Sequence, residues 1–332
     1  MAKTDDIQVF CAGKKPGETV ILPGAVTRPS DGRASDAGVI LLHGAGGDLY
    51  GGHMNTTAES FADDLRTPVF RVTMKSPDAN YRLRAAHGLM RVALKEGVLR
   101  FILAGQSNGA RVCCNLLSQL VHPEKQKTND AFPKASPPAE LVERFTNASD
   151  GHAPGSARVS GLVLFSYPLH APGKASRENL REEELERAFD AAPKAFPVVF
   201  VQGENDAFAK DDLFDQCVRR VLVRHAERFP DDENALSPAS MRKRSDVLYV
   251  MPGGDHGLRV AKSAAVSTEQ ARRKALAFVC EKMRELLRET KGPRGKGKRA
   301  REEKEGDAGG VNARTGARAF VEEELSIEED SL

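Results

Sequence analysis

Six short, nearly unbroken apolar runs, each closed by turn residues, constrain this chain more than any other feature. They are Val39-Ile40-Leu41-Leu42, Val69-Phe70-Arg71-Val72, Phe101-Ile102-Leu103-Ala104, Gly161 to Ser166, Val198-Val199-Phe200-Val201 and Val247-Leu248-Tyr249-Val250. Strands that alternate apolar and polar residues have one wet face, whereas continuous runs belong to strands covered on both faces, as in a parallel sheet. Helical spacing fills the gaps, at about Thr57 to Leu65, Ala79 to Lys95, Asn108 to Leu120, Leu213 to Phe229 and Val266 to Arg288. Strand and helix in alternation imply right-handed crossovers and an α/β architecture, a mostly parallel, doubly wound sheet with helices on both faces. Two earlier runs, Ile7 to Phe10 and Thr19 to Leu22, flank Lys14-Lys15-Pro16-Gly17 and read as an antiparallel pair at one sheet edge.

This rhythm covers residues 1–290, which are expected to form one domain. Residues 122–157, rich in Pro, Lys, Asn, Ala and Ser, read as a surface insertion. From Lys291 onward the sequence is charged and poor in apolar residues, so 291–332 is expected to be a disordered tail. No large lid domain fits in the stretch from His170 to Phe196, which implies an open site suited to small or extended soluble substrates.

Composition excludes several classes of function. Lys plus Arg number 49 and Asp plus Glu 47, so no global field draws the chain to nucleic acid or an anionic membrane. Trp is absent and Tyr numbers 4, leaving few platforms for stacked bases. No run reaches the length of a bilayer span, and the polar, acidic first ten residues do not read as a secretory leader. The five cysteines, Cys11, Cys113, Cys114, Cys217 and Cys280, form no C-x-x-C pair. A reducing, cytoplasmic setting is the expectation. A basic cluster, Lys298-Arg299-Ala300-Arg301, is compatible with nuclear import, although acidic residues begin at Glu302.

Chemistry enters at Gly105-Gln106-Ser107-Asn108-Gly109, a G-x-S-x-G directly after the third continuous run and directly before a helix. Glycines on both sides let a sharp strand-to-helix turn present Ser107 above the carboxyl edge of the sheet. A serine hydroxyl is a weak nucleophile until a base takes its proton and an acid orients that base. His256 follows the last strand through Pro252-Gly253-Gly254-Asp255, where a loop can return to that edge. His122 and His152 fall in or beside the insertion, His225 falls in a helix, and His170 precedes the candidate acids. Asp206, in Gln202-Gly203-Glu204-Asn205-Asp206 after the preceding strand, is the expected acid, with Glu204 and Asp255 as competitors. Chain order Ser107, Asp206, His256 is the order of this chemistry on an open α/β sheet.

Developing negative charge on a carbonyl oxygen needs backbone N–H groups already in place. Asn108, just after the serine, would supply one. The loop His43-Gly44-Ala45-Gly46-Gly47 would supply the other, from Ala45 in preference to Gly46. As a phosphate loop it lacks both the Lys-Ser/Thr ending and a full G-x-G-x-x-G. Arg111, one turn past Ser107, either holds a substrate carboxylate or forms a structural ion pair, the second being the simpler reading.

Together, "LLHGAGGD", "GQSNGAR", "SYPLHAPGK", "VQGENDAF" and "GGDHGL" resemble the dienelactone-hydrolase-like α/β-hydrolases, the group that includes the testis-expressed hydrolase-like proteins and the NSL-complex regulatory subunit. The likeness covers about residues 37 to 285. It implies an α/β-hydrolase fold with the motif serine, aspartate and histidine at Ser107, Asp206 and His256. Two functions follow. One is a serine hydrolase cleaving an ester or thioester, with no metal and no organic cofactor. The alternative is an interaction protein on the same scaffold, using the insertions or the 291–332 tail for a protein partner.

Overall fold

In the computed structural model, residues 2–33, 35–123, 135–146, 155–176, 180–193, 196–228 and 247–289 are described. Contacts divide the chain into Met1–Lys291 and Gly292–Leu332; the expected tail, like parts of the expected insertion, lies outside the described residues. The strands are β1 (Lys3–Ala12), β2 (Thr19–Arg28), β3 (Ala37–Leu42), β4 (Val69–Val72), β5 (Arg100–Gln106), β6 (Arg158–Phe165), β7 (Val198–Gly203) and β8 (Leu248–Met251). They form one sheet in the order β1-β2-β4-β3-β5-β6-β7-β8. From β4 to β8 every pairing is parallel, while β1 pairs antiparallel with β2, and β2 with β4. The antiparallel edge pair read from the sequence is therefore present and longer than its apolar runs suggest.

Burial explains the continuous runs. All six residues of β3 and all six of β7 are buried. Within β3 the side chains alternate between two clusters: Ile40 and Leu42 join Phe101, Leu103 and Leu116 in one. Val39 and Leu41 join Phe61, Ile102 and Val279 in the other. Two dry faces need two helical layers. Helices α1 (Met54–Leu65) and α7 (Thr268–Glu289) supply apolar residues to the second cluster. Helices α2 (Ala79–Lys95), α3 (Asn108–Val121), α5 (Glu182–Ala191) and α6 (Asp211–Glu227) supply them to the first.

One segment differs from the sequence expectation. Residues 122–157 contain helix α4 (Ala139–Thr146), which buries Leu141 and Phe145. The Phe145 ring stands 5.5 Å from Phe101, so this part of the expected surface insertion belongs to the core. Its two buried residues sit four apart on one helical face, too sparse a signal to stand out among Pro and Lys. The stretch from His170 to Phe196 holds α5, a ten-residue helix, and the described residues there build no lid domain.

Candidate active site

Ser107 is the N-cap of α3, with φ 52° and ψ −118°. That left-handed φ strains a residue carrying a Cβ and persists only where the surroundings over-determine it. Here they do. Ser107 N–H donates to the Phe165 carbonyl at 2.9 Å. A Cβ on Gly105 would collide with the backbone of Gly109, and a Cβ on Gly109 with the carbonyls of Leu42 and His43. Both motif glycines thus exist because strand β5, helix α3 and the end of β3 meet at backbone contact.

Ser107 Oγ lies 2.8 Å from His256 Nε2. His256 Nδ1 lies 2.9 and 2.8 Å from the two carboxylate oxygens of Asp206. In the neutral tautomer Nδ1–H donates to the acid, and Nε2 accepts from the serine hydroxyl. The Asp206 residue is only 4% exposed. It is held from two further directions: Phe208 N–H donates to Oδ1 at 2.8 Å, and Gln202 Nε2 donates to Oδ2. A buried carboxylate needs hydrogen-bond donors in place of water, and these are they. The three residues expected from chain order are brought into one hydrogen-bonded row.

The competing acids have other work. Glu204 accepts from Gly253 N–H at 2.6 Å. Asp255 accepts from Gly257 and Arg259 N–H at 2.8 and 2.9 Å, closing the turn that carries His256. His170 is buried, accepts Lys210 N–H on Nε2 at 3.0 Å and donates from Nδ1 to Ala171 O at 2.9 Å. His225 Nδ1 contacts Phe189 O at 3.0 Å. His152 lies outside the described residues. Arg111 forms a two-pronged pair with Glu184 at 2.7 and 2.6 Å, the structural reading of that residue.

The His43–Gly47 loop reaches Ser107 at Gly44, where an added Cβ would lie 3.3 Å from the serine Cβ. Ala45 and Gly46 are on its exposed part. Asn108 opens α3, whose first amides have no helical carbonyl to reach, and its side chain donates to Pro77 O at 3.0 Å. His43 is a strut: Met74 N–H donates to its Nε2 at 2.8 Å, and its Nδ1 donates to Gly44 O at 2.7 Å. Burial holds its pKa below the ordinary value, keeping it neutral as this pattern requires.

Two arginines that sequence reasoning missed fix the loops of the site. Arg82 on α2 is fully buried and donates to the carbonyls of Ser76 (2.9 Å), His43 (2.7 Å), Gly44 (2.9 Å) and Met74 (3.4 Å). Burial pulls its pKa down to about 10. Arg272 on α7 donates to the Gly257 and Leu258 carbonyls at 2.9 and 2.8 Å, directly behind His256. Gln202 was missed as well, although it stands in the motif that supplied the acid.

A family model described as an alpha/beta hydrolase domain matches residues 35–284. The chain belongs to the α/β-hydrolase family. Among solved structures, this α/β hydrolase is similar to a serine hydrolase without a lid from Xanthomonas campestris, at 15% identity and TM-score 0.44, covering 86% of this chain and 95% of that one. It is similar to a hyperthermophilic esterase from Pyrobaculum calidifontis at 14% identity and TM-score 0.48, covering 86% of each chain. A dienelactone hydrolase-like promiscuous phosphotriesterase from metagenomic libraries is similar at 14% identity and TM-score 0.47, covering 85% of this chain and 98% of that one. No helix of this α/β hydrolase among the described residues is long and apolar enough to cross a membrane. Among those residues, too, no group of three or more His, Cys, Asp or Glu could hold a metal ion. All five cysteines are free and buried, and burial pushes the Cys113 and Cys114 thiols far up, so they pack as small apolar groups.

Proposed function

We propose that this α/β hydrolase is a serine hydrolase of ester or thioester bonds in small or extended soluble substrates, working through Ser107, His256 and Asp206. The observation that carries the reading is the unbroken row Oγ–Nε2–Nδ1–carboxylate, at 2.8 Å and then 2.8 to 2.9 Å, built on a strained elbow. A scaffold with no chemistry has no physical need for a left-handed serine facing an oriented imidazole.

Ser107 Oγ attacks the acyl carbon as its proton passes to His256 Nε2. The carbonyl π electrons move onto oxygen, where the N–H groups of Ala45 and Asn108 receive the charge. As the C–O or C–S bond breaks, His256 returns the proton to the leaving group, and the acyl chain stays on Ser107. Water then attacks that ester, giving its proton to His256; the tetrahedral adduct collapses, Ser107 regains the proton and the acid departs. Asp206, held by Gln202 and Phe208, orients the imidazole and offsets the charge of the imidazolium.

The motif likeness supports placing the protein in the group of testis-expressed hydrolase-like proteins and the NSL-complex regulatory subunit, with residues 1–290 as the catalytic domain and 291–332 as the segment offered to a protein partner. Hydrolysis of p-nitrophenyl acetate and of a short acyl thioester tests the reading. Turnover by the wild type, reduced at least about 1,000-fold in Ser107→Ala and in His256→Ala, is the expected outcome. Equal turnover in the three proteins contradicts it.

A further inference from the structure

Phe208 touches both the acid and the base without being either. Its backbone N–H donates to Asp206 Oδ1 at 2.8 Å. Its ring lies over the His256 imidazole, with centroids 4.1 Å apart and planes inclined by 30°. His256 keeps 22% of its side chain exposed, so the imidazole has a wet side, and the Phe208 ring covers one of its faces. The segment that carries Phe208 is itself anchored. His170 N–H donates to the Phe208 carbonyl at 2.9 Å, and Lys210 N–H donates to His170 Nε2 at 3.0 Å. This accounts for the buried histidine of "SYPLH", which the triad leaves unused.

An imidazole tied to a carboxylate at one nitrogen keeps a soft rotation about that bond, and rotation carries Nε2 away from Ser107. Offset stacking of a flat ring on its face opposes the rotation without adding a polar group. It also keeps water from the Nδ1–H···carboxylate bond, which is stronger in a drier surrounding.

We propose that Phe208 is a positioning residue that locks His256 between Asp206 and Ser107, acting on the acid through its N–H and on the base through its ring. The proposal rests on the serine-hydrolase reading for its kinetic consequence, but its structural content can be read without substrate.

Phe208→Ala, Phe208→Leu and Phe208→Tyr test it, each checked for an unchanged unfolding midpoint. In the low-field proton spectrum of the free protein the His256 Nδ1–H resonance, assigned by its loss in His256→Ala, should broaden through solvent exchange in the Ala and Leu variants. It should stay sharp in Tyr, which keeps the flat face. With p-nitrophenyl acetate the Ala and Leu variants should lose kcat about tenfold with KM within about twofold, and Tyr should stay within about twofold of wild type. A sharp resonance in all variants, or a loss confined to KM, overturns the proposal. Absence of turnover in the wild type overturns the hydrolase reading alone, because the resonance still reports on Phe208. A leucine that preserves both readouts also overturns it, since bulk and not stacking would then suffice.

Discussion

The two loops that converge on Ser107 are held by the same device at different depths. On one side, His43–Gly47 is gripped by Arg82, which is fully buried and spends its guanidinium on four carbonyls. On the other, the turn bearing His256 is gripped by Arg272, which is half-buried and reaches two carbonyls. Arg82 meets no carboxylate among these contacts. A buried cation without an anion is costly, and the lowered pKa of Arg82 records that cost. What it achieves is rigidity: four carbonyls from two loop segments are tied to one guanidinium. The histidine side needs less, because Asp206, Phe208 and the Asp255 turn already fix it. Of the two loops, His43–Gly47 is the more heavily anchored.

Removing the deeper anchor should therefore have the largest effect. Arg82→Met strands carbonyls away from water, at about 1–3 kcal/mol for each that stays unpaired; a total loss of roughly 3–5 kcal/mol is expected, read as a lower urea midpoint, with esterase turnover abolished. Stability within about 1 kcal/mol of wild type would break the comparison.

Gly109→Ala strikes the same side through sterics, pushing a methyl into the carbonyls of Leu42 and His43. A loss near the top of the 1–3 kcal/mol range for overpacking is expected. Turnover should fall more than for any substitution in the His256 turn outside the triad.

Acid should also loosen the region behind the His43–Gly47 loop. His53 at the start of α1 is buried beside Phe165, and burial lowers its pKa to about 4. His43 is lowered by the same cause. The folded state then binds fewer protons than the unfolded chain between about pH 4 and 6.5. Stability is full above that window and declines as the pH falls through it. For His53 the decline approaches about 3 kcal/mol by pH 4. His53→Gln should flatten the pH dependence of the unfolding midpoint between pH 7 and 5; an unchanged slope would place the acid sensitivity elsewhere.

Arg272→Ala is expected to be milder, about 1–2 kcal/mol in stability, with kcat reduced about tenfold through a looser His256. A larger stability loss than Arg82→Met would reverse the ranking of the two anchors.

What the sequence discloses follows the same division. The strands are legible because burial on both faces leaves unbroken apolar runs, as in β3 and β7. Ser107, Asp206 and His256 are legible because each follows a strand and their chain order is restricted. Arg82, Arg272 and Gln202 are not. A polar residue within an amphipathic helix or at a strand end carries no mark that distinguishes a solvated side chain from one gripping a distant backbone. Helix α4 was hidden for a related reason, with two core residues in a segment whose composition otherwise reads as surface. His170 shows the converse: chain order excluded it as the base, but only the fold reveals that it anchors the Phe208–Lys210 segment.

The central claim is that the strained, oriented Ser107 is a nucleophile. Peptide-resolved mass spectrometry after treatment with a fluorophosphonate addresses it directly. The account predicts one phosphonyl adduct, on Ser107, formed in the wild type, lost in Ser107→Ala and strongly slowed in His256→Ala. Well-folded protein that takes no adduct at Ser107, or takes it equally fast without His256, would contradict it.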